Sequence, residues 1–363
     1  MKTSARITAW LLSLLFVLTL LSGCAAKEDA EYRDFNYFSM DTYITLRLAC
    51  TDKNGARLDD SVLASAADEC ASILADLDGT ISAHDPSSAV YALNADINKM
   101  LSADATLLSL LATADKVHSL TGGAFDYTLG ALTELWNVKG GGPVPSADDI
   151  KEALSHTGTG KFIVSGSLIE KRDPAAKLDF GGIGKGIAAQ RLLEYLSTTE
   201  ISHGLVSLGG NIGVFGEKPG YGDYKIGVRD PDDAGAVIGY LYLASGFVSV
   251  SGDYERYFEE NGVRYHHILD PRTGYPADSG LRSVAVHTAN GASADALSTA
   301  LFILGAEKSM ALYEEGTLDF EAVFVTDAGE ILVTPGLTGD GLTGRFEKTN
   351  ENYTMPGEES PEA

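Results

Sequence analysis

Apolar residues keep a helical spacing in the early part of this chain and a strand-like spacing later. From Leu58 to Leu77, and again from Ala105 to Leu120, they recur every three or four residues, as one buried face of a helix requires. The second run stops at Thr121-Gly122-Gly123, a glycine pair suited to ending it. Ahead of both, Tyr37 to Leu48 has the β-branched and aromatic content of a strand, with Met40-Asp41-Thr42 at its start, while Ile81 to Asp96 reads as loop. Lys139 to Ser146, with three glycines and two prolines, predicts a surface loop, and Ala147 to Thr157 a short helix.

Beyond Lys161 the period changes. Lys161 to Asp179 suggests a hairpin, and Gly186 to Leu196 an amphipathic helix entered through LDFGGIGKG. GLVSLGGNIGVFG, YKIGVRD, VIGYLYLASGFVSVSG, RSVAVHTA and FEAVFVTD then follow as short apolar runs bounded by glycine or aspartate, read as strands of an extended sheet. One helix, Ser293 to Leu304, interrupts them, and no repeat period is present. Early helices, late strands and two late helices to cover them predict an α+β fold. Its form is a single two-lobed unit with helices packed on a mainly antiparallel sheet. A polar tail, 336–363, rich in Gly, Glu, Thr and Pro, is expected to be loose at its end.

The N-terminus changes the picture. Lys2 and Arg6 precede an apolar run from Ala9 to Leu21, too short to span a bilayer comfortably but suited to the core of a secretory signal. It ends in Leu21-Ser22-Gly23-Cys24, which resembles the lipobox of bacterial lipoproteins, where cleavage precedes a cysteine that is then acylated. Residues 1–23 are therefore expected to be a signal peptide and 24–34 a tether lipidated at Cys24. Each buried acyl CH₂ contributes about 0.8 kcal/mol to membrane attachment. The expected location is the cell envelope, on the outer face of the cytoplasmic membrane or in the periplasm.

Removing residues 1–23 takes away Lys2 and Arg6, leaving 25 of 27 basic residues against 51 acidic ones, so the charge moves from −24 to −26. Such a surface repels nucleic acid, which is excluded as a partner. After Cys24 only Cys50 and Cys70 remain; they either pair in an oxidising compartment or stand as separate buried thiols.

Candidate chemistry concentrates in three places. Ser249 to Pro276, SVSGDYERYFEENGVRYHHILDPRTGYP, gathers side chains that bind anions, stack on rings and move protons. His266 and His267 are adjacent in a predicted strand, so they point to opposite faces and one of them is structural. His118, His203 and His287 lack such neighbours and read as structural or exposed. Leu178 to Gly186 sets flexible backbone and Lys185 at a helix mouth, where free N–H groups and the dipole favour phosphate. It is neither a Walker loop nor a dinucleotide fingerprint, and a glycine-rich helix entry made for close packing explains it equally well. Asp295 and Thr299, four residues apart on one helical face, are hard oxygen ligands of the kind Mg²⁺ takes, or else a dipole complement and a satisfied core hydroxyl.

These pieces occur in an order that resembles the FAD:protein FMN transferases, the ApbE-type flavin transferases once described as thiamine-biosynthesis lipoproteins. The resemblance runs from Met40 to about Pro335 and is carried by Met40-Asp41-Thr42, GGAFDYTLGALTELW, LDFGGIGKG, SLGGNI, SGDYERYF, YHHILDPRTGYP and ADALSTALFILG. It implies that residues 35–335 form a Mg²⁺-dependent enzyme that splits the FAD diphosphate between its lobes. FMN would pass to a Ser or Thr of an acceptor protein, a membrane redox subunit, with release of AMP.

By position, Met40, Ala124, Phe125, Asp126, Asp179 and Lys185 would contact the flavin nucleotide. His84 lies where an aromatic ring often meets the adenine. The Gly182 carbonyl, Asp295 carboxylate and Thr299 hydroxyl would hold the metal, and His267 would be the catalytic base. Transfer would then decline as pH falls through an ordinary histidine pKa of about 6.5. The chain departs from the family pattern at Gly184, a common alanine, at Gln190, a common aspartate, and at Ser88-Ala89, commonly Ser-Glu. Two other readings remain: a Mg²⁺-dependent FAD diphosphatase giving free FMN and AMP, and a flavin-binding lipoprotein without turnover.

Overall fold

A computed structural model describes residues 31–218, 222–339 and 344–358. Cys24, the signal segment and most of the tether lie outside the described residues. The chain opens with a hairpin, β1 (Tyr32–Ser39) and β2 (Thr42–Ala49), followed by helices α1 (Asp60–Ile81) and α2 (Ala89–Ala95). Next come β3 (Met100–Ser102), α3 (Ala105–Leu120), α4 (Gly130–Trp136), α5 (Ala147–Ser155) and the hairpin β4 (Phe162–Ser165) and β5 (Leu168–Lys171). Helix α6 (Gly184–Thr198) leads into β6 (Gly204–Leu208), β7 (Asn211–Phe215), β8 (Tyr224–Arg229), β9 (Val237–Leu243) and β10 (Gly246–Gly252). A small hairpin, β11 (Tyr257–Glu260) and β12 (Val263–His266), precedes β13 (Leu281–Thr288). Helices α7 (Gly291–Leu304) and α8 (Ala306–Glu315) and strands β14 (Glu321–Thr326), β15 (Ile331–Val333) and β16 (Arg345–Lys348) complete it.

Among the described residues the main sheet has eight strands in the order β1-β2-β6-β7-β10-β13-β14-β15. Every neighbouring pair in it is antiparallel. One face packs on helices: Ile44, Leu46 and Val206 of the sheet share a core with Leu74 of α1, Leu192 of α6 and Leu301 of α7. The other face carries Val214, Val248 and Val325 and is covered by the three-stranded sheet β16-β9-β8 through Ile226, Val228 and Leu241. Cover on both sides explains why β14 is buried from Glu321 to Val325, whereas β8 alternates buried and exposed. The α+β expectation of helices on a mainly antiparallel sheet is met.

Five local expectations are corrected. Tyr37 to Leu48 is not one strand but most of a hairpin whose two-residue turn is Met40-Asp41, at φ 51° and 58°. Both positive angles match a type I′ turn, which follows the sheet's twist. Ile81 to Asp96 contains α2, capped by the Ser88 hydroxyl accepting from the Tyr91 N–H at 3.0 Å. VIGYLYLASGFVSVSG divides between two layers, β9 in the covering sheet and β10 in the main one. The polar tail supplies β16, paired with β9, and the buried Tyr353, whose hydroxyl donates to Asp230 at 2.6 Å. At the other end, β1 begins at Tyr32, inside the stretch read as tether.

Cys50 and Cys70 are separate buried thiols, and burial pushes the Cys70 thiol up to about 12. A third core of Leu132, Trp136, Ile150 and Phe258 ties α4 and α5 to the β11-β12 hairpin. Trp136 fixes the turn after that hairpin by donating its indole N–H to the Gly274 carbonyl at 2.7 Å. No helix among the described residues is long and apolar enough to cross a membrane.

Candidate active site

The first turn of α6 holds the site together. A Cβ on Gly186 would meet the Gly291 carbonyl at 2.2 Å and the Asp295 Cβ at 2.6 Å, so only glycine lets α6 approach α7 this closely. That contact serves the chemistry too, because the Gly186 N–H donates to Asp295 Oδ2 at 2.9 Å. Asn211 Nδ2 and Ser249 Oγ both donate to Oδ1 at 3.1 Å. Asp295 is 4% exposed and its hydrogen-bond partners are neutral, so its charge is fixed in place but not cancelled. A buried carboxylate without a counter-charge is costly, and Oδ2 keeps a lone pair free of protein donors.

The Thr299 hydroxyl has only stretched contacts, 3.5 Å to Ser251 Oγ and 3.5 Å to the Asp295 carbonyl. It lies 3.3 Å from where a Gly182 side chain would begin, at the same distance as the Phe125 ring. Gly182, Asp295 and Thr299 therefore gather at one place, and their oxygen donors suit a hard divalent cation. No cluster of three or more His, Cys, Asp or Glu able to hold a metal occurs among the described residues, so such an ion would draw on backbone and hydroxyl oxygen.

The nucleotide candidates divide into those with free groups and those already engaged. Asp126 Oδ1 accepts from the Thr128 N–H at 2.8 Å and hydroxyl at 2.6 Å, and Asp179 Oδ1 accepts from the Gly181 N–H at 2.8 Å. Both carboxylates thus shape loops. The loops are laced by the Asp179 N–H donating to the Tyr127 carbonyl at 2.8 Å and by stacking of Tyr127 on Phe180. Ala124 and Phe125 are buried beside them.

Met40 reaches the mouth of α6, its Cε 3.7 Å from the position of a Gly184 Cβ. That Cβ would also stand 3.1 Å from the Cδ1 of Ile81, a tight fit that a small shift of that side chain relieves. Gln190 accepts from the Ala292 N–H at 3.4 Å and so bridges α6 to the start of α7. His84 is exposed just beyond α1, near enough to Asp41 to act on its charge.

The adjacent histidines differ as their alternation predicts. His266 is 7% exposed and both ring nitrogens are engaged: Nε2 donates to the Ala277 carbonyl at 3.0 Å and Nδ1 accepts from the Ile268 N–H at 3.3 Å. His267 faces the other way. Its Nδ1 lies 3.2 Å from the Arg256 carbonyl and its backbone N–H donates to that same oxygen at 3.0 Å. Its side chain is solvent-exposed. Desolvation first, then the charges of Lys185 and Arg256, push its pKa well below the usual histidine range, so the ring is neutral at pH 7.

Sequence reasoning missed a charged cluster on the rim. Asp41, in the hairpin turn, accepts from Lys139 Nζ at 2.6 Å and pairs with Arg256 at 3.3 Å. The Lys139 hydrogen bond is the main cause that holds the Asp41 carboxyl below its ordinary range.

Comparisons with known proteins identify the family of the chain. The profile of the ApbE family matches residues 40–324. A Treponema pallidum protein named FAD:protein FMN transferase is 36% identical over 271 residues, covering 69% of this chain and 74% of its own. A Klebsiella pneumoniae protein of the same name is 37% identical over 232 residues, covering 63% of this chain and 71% of its own. The crystal structure of the ApbE protein from Thermotoga maritima superposes with a TM-score of 0.75 at 34% identity, over 84% of this chain and 97% of that one. The profile match spans the hairpin turn, the α6 entry, the histidine pair and α7, and the chain belongs to the ApbE family.

Proposed function

We propose that this chain moves FMN from FAD onto a Ser or Thr hydroxyl of an acceptor protein, releasing AMP, with Mg²⁺ at Gly182, Asp295 and Thr299. One observation carries the reading. Consecutive residues at the start of α6 serve both halves of the chemistry: Gly186 holds Asp295, and Lys185 bears on His267. When bound, Mg²⁺ would neutralise charge on the diphosphate.

The protein's own part is positioning and proton transfer. Lys185 and the α6 N-terminus favour the phosphates, while Met40 and the Ala124–Asp126 loop receive the flavin nucleotide. The neutral His267 takes the hydroxyl proton on Nε2. The acceptor oxygen bonds to the FMN phosphorus as the P–O bond to the AMP phosphate breaks, and AMP leaves with that electron pair. Incubating the chain with FAD, Mg²⁺ and candidate membrane redox subunits tests this: protein-bound flavin, detected by mass, supports the reading, and its absence from every acceptor while FAD is consumed sinks it. The solvent exposure of His267 favours one second reading, a diphosphatase in which water takes the hydroxyl's place.

The lowered His267 pKa moves the expected pH dependence to more acidic conditions. A base must be unprotonated, so the rate is lost as pH falls through the folded-state pKa, which lies below the ordinary value of about 6.5. Single-turnover transfer should hold its plateau at pH 6.5 and decline only in more acidic buffer. A half-maximal rate at or above pH 6.5 would contradict the assignment.

We place the enzyme at the cell envelope through lipid on Cys24, on the strength of the Leu21-Ser22-Gly23-Cys24 pattern. Cys24→Ala should release it from membranes. If the variant still sediments with them in high salt, attachment has another cause.

A further inference from the structure

The geometry points to Asp41 as a positioning residue that acts on His267 through Arg256. The inference rests on the proposed role of His267 as base. A base at Nε2 needs its proton on Nδ1, and the ring nitrogen within reach of an acceptor is Nδ1, 3.2 Å from the Arg256 carbonyl. That carbonyl also takes the His267 backbone N–H at 3.0 Å, so one peptide oxygen sets both the tautomer and the place of the residue. Where the Arg256 main chain stands therefore decides how the ring is aimed.

Arg256 precedes β11 and lies opposite His267, just past the last paired residues of the small hairpin, Tyr257 and His266. Beyond the backbone bond to His267, no strand pairing holds it there. Its side chain is held from across the site, where NH2 lies 3.3 Å from Asp41 Oδ2 and donates to the Asp41 carbonyl at 3.4 Å. Asp41 is itself well anchored. Its turn is part of the main-sheet hairpin, and Lys139 Nζ donates to its carboxylate at 2.6 Å. The chain of contacts thus runs from the main sheet through Asp41 and Arg256 to the Nδ1–H of His267.

Asp41→Asn isolates this link. Asparagine tolerates the φ of 58° at this turn position, so the hairpin is retained while the charge is removed. Side-chain exposures of 47% for Arg256 and 42% for Asp41 keep the ion pair modest. The expected loss in single-turnover transfer is up to about fivefold, against about 10²- to 10⁴-fold for losing the base. FAD affinity should stay within about twofold, because the change acts on the base and not on the nucleotide.

The direct readout needs no acceptor. Nitrogen NMR of the full chain with isotope-labelled histidine, assigned by His267→Gln, should find His267 as the single Nδ1–H tautomer. Asp41→Asn and Arg256→Gln should each give a mixture, and the double variant should be no worse than Arg256→Gln alone. Lys139→Met is the control. It removes the shorter of the two Asp41 ion pairs, so an Asp41 that merely braced the rim would disturb His267 at least as much here, whereas the proposed link leaves the tautomer intact. An Nε2–H tautomer in the parent chain, or an undisturbed tautomer in Asp41→Asn, overturns the inference. If the tautomer responds but the parent chain transfers no flavin, the proposed function falls and the Asp41 link stands.

Discussion

Asp295→Ala is expected to reduce flavin transfer by roughly 10³-fold or more, the several kcal/mol of charge stabilisation that a bound cation supplies. The carboxylate is the only charged group in the proposed ligand set, the others being the Gly182 carbonyl and the Thr299 hydroxyl. Its removal should also destabilise the fold, since the Gly186 N–H and Asn211 Nδ2 lose their acceptor, while Ser249 Oγ keeps only Ser298 Oγ. Each orphaned buried donor costs about 1–3 kcal/mol. Asp295→Asn separates the two effects: it keeps the shape and one acceptor oxygen but not the charge, so it should melt nearer the parent chain and still lose activity. Thr299→Ala should be milder, as it removes a neutral ligand. An Asp295 variant with the parent rate and unaltered Mg²⁺ dependence would remove this residue from the site.

His267→Gln should slow single-turnover transfer by about 10²- to 10⁴-fold while FAD binds within a few-fold of normal. The neighbouring change should behave differently. His266→Gln breaks the hydrogen bonds to Ala277 and Ile268 and the edge-to-face contact with Phe302, so its loss belongs to stability, with little effect on the chemical step. Titrating FAD and measuring transfer in both variants distinguishes them. A His267 variant that transfers normally but binds FAD weakly would reverse the role assigned here.

Much of the fold was legible because its long elements carry their period openly. The Ala105–Leu120 helix matches its predicted bounds, and the late apolar runs are strands. The hairpin turn was not legible, because type I′ turns announce themselves through Asn-Gly or Asp-Gly, and here Met40 occupies the left-handed region. Its ion pairs are with Lys139 and Arg256, both distant in sequence. Helix α2 is seven residues long, too short for periodicity to separate it from loop.

The site divides in the same way. His267, Asp295 and the α6 glycines sit in ordered motifs that a reader of the sequence can recognise. The rim cluster does not, because Asp41 meets Lys139 and Arg256 at sequence separations of 98 and 215, which leave no local pattern. The packing explanation of LDFGGIGKG is borne out at Gly186, whose close contact with α7 also presents the N–H that holds Asp295.

The most direct test of the account follows one sample of FAD to all its products. The chain, Mg²⁺, FAD and a candidate membrane redox subunit are incubated together, and AMP, free FMN and FMN bound covalently to the subunit are measured side by side. The account predicts one AMP for each FMN found on a Ser or Thr of the subunit, with little free FMN, and loss of both products in Asp295→Asn. AMP matched by free FMN, with no flavin on the protein, would contradict it.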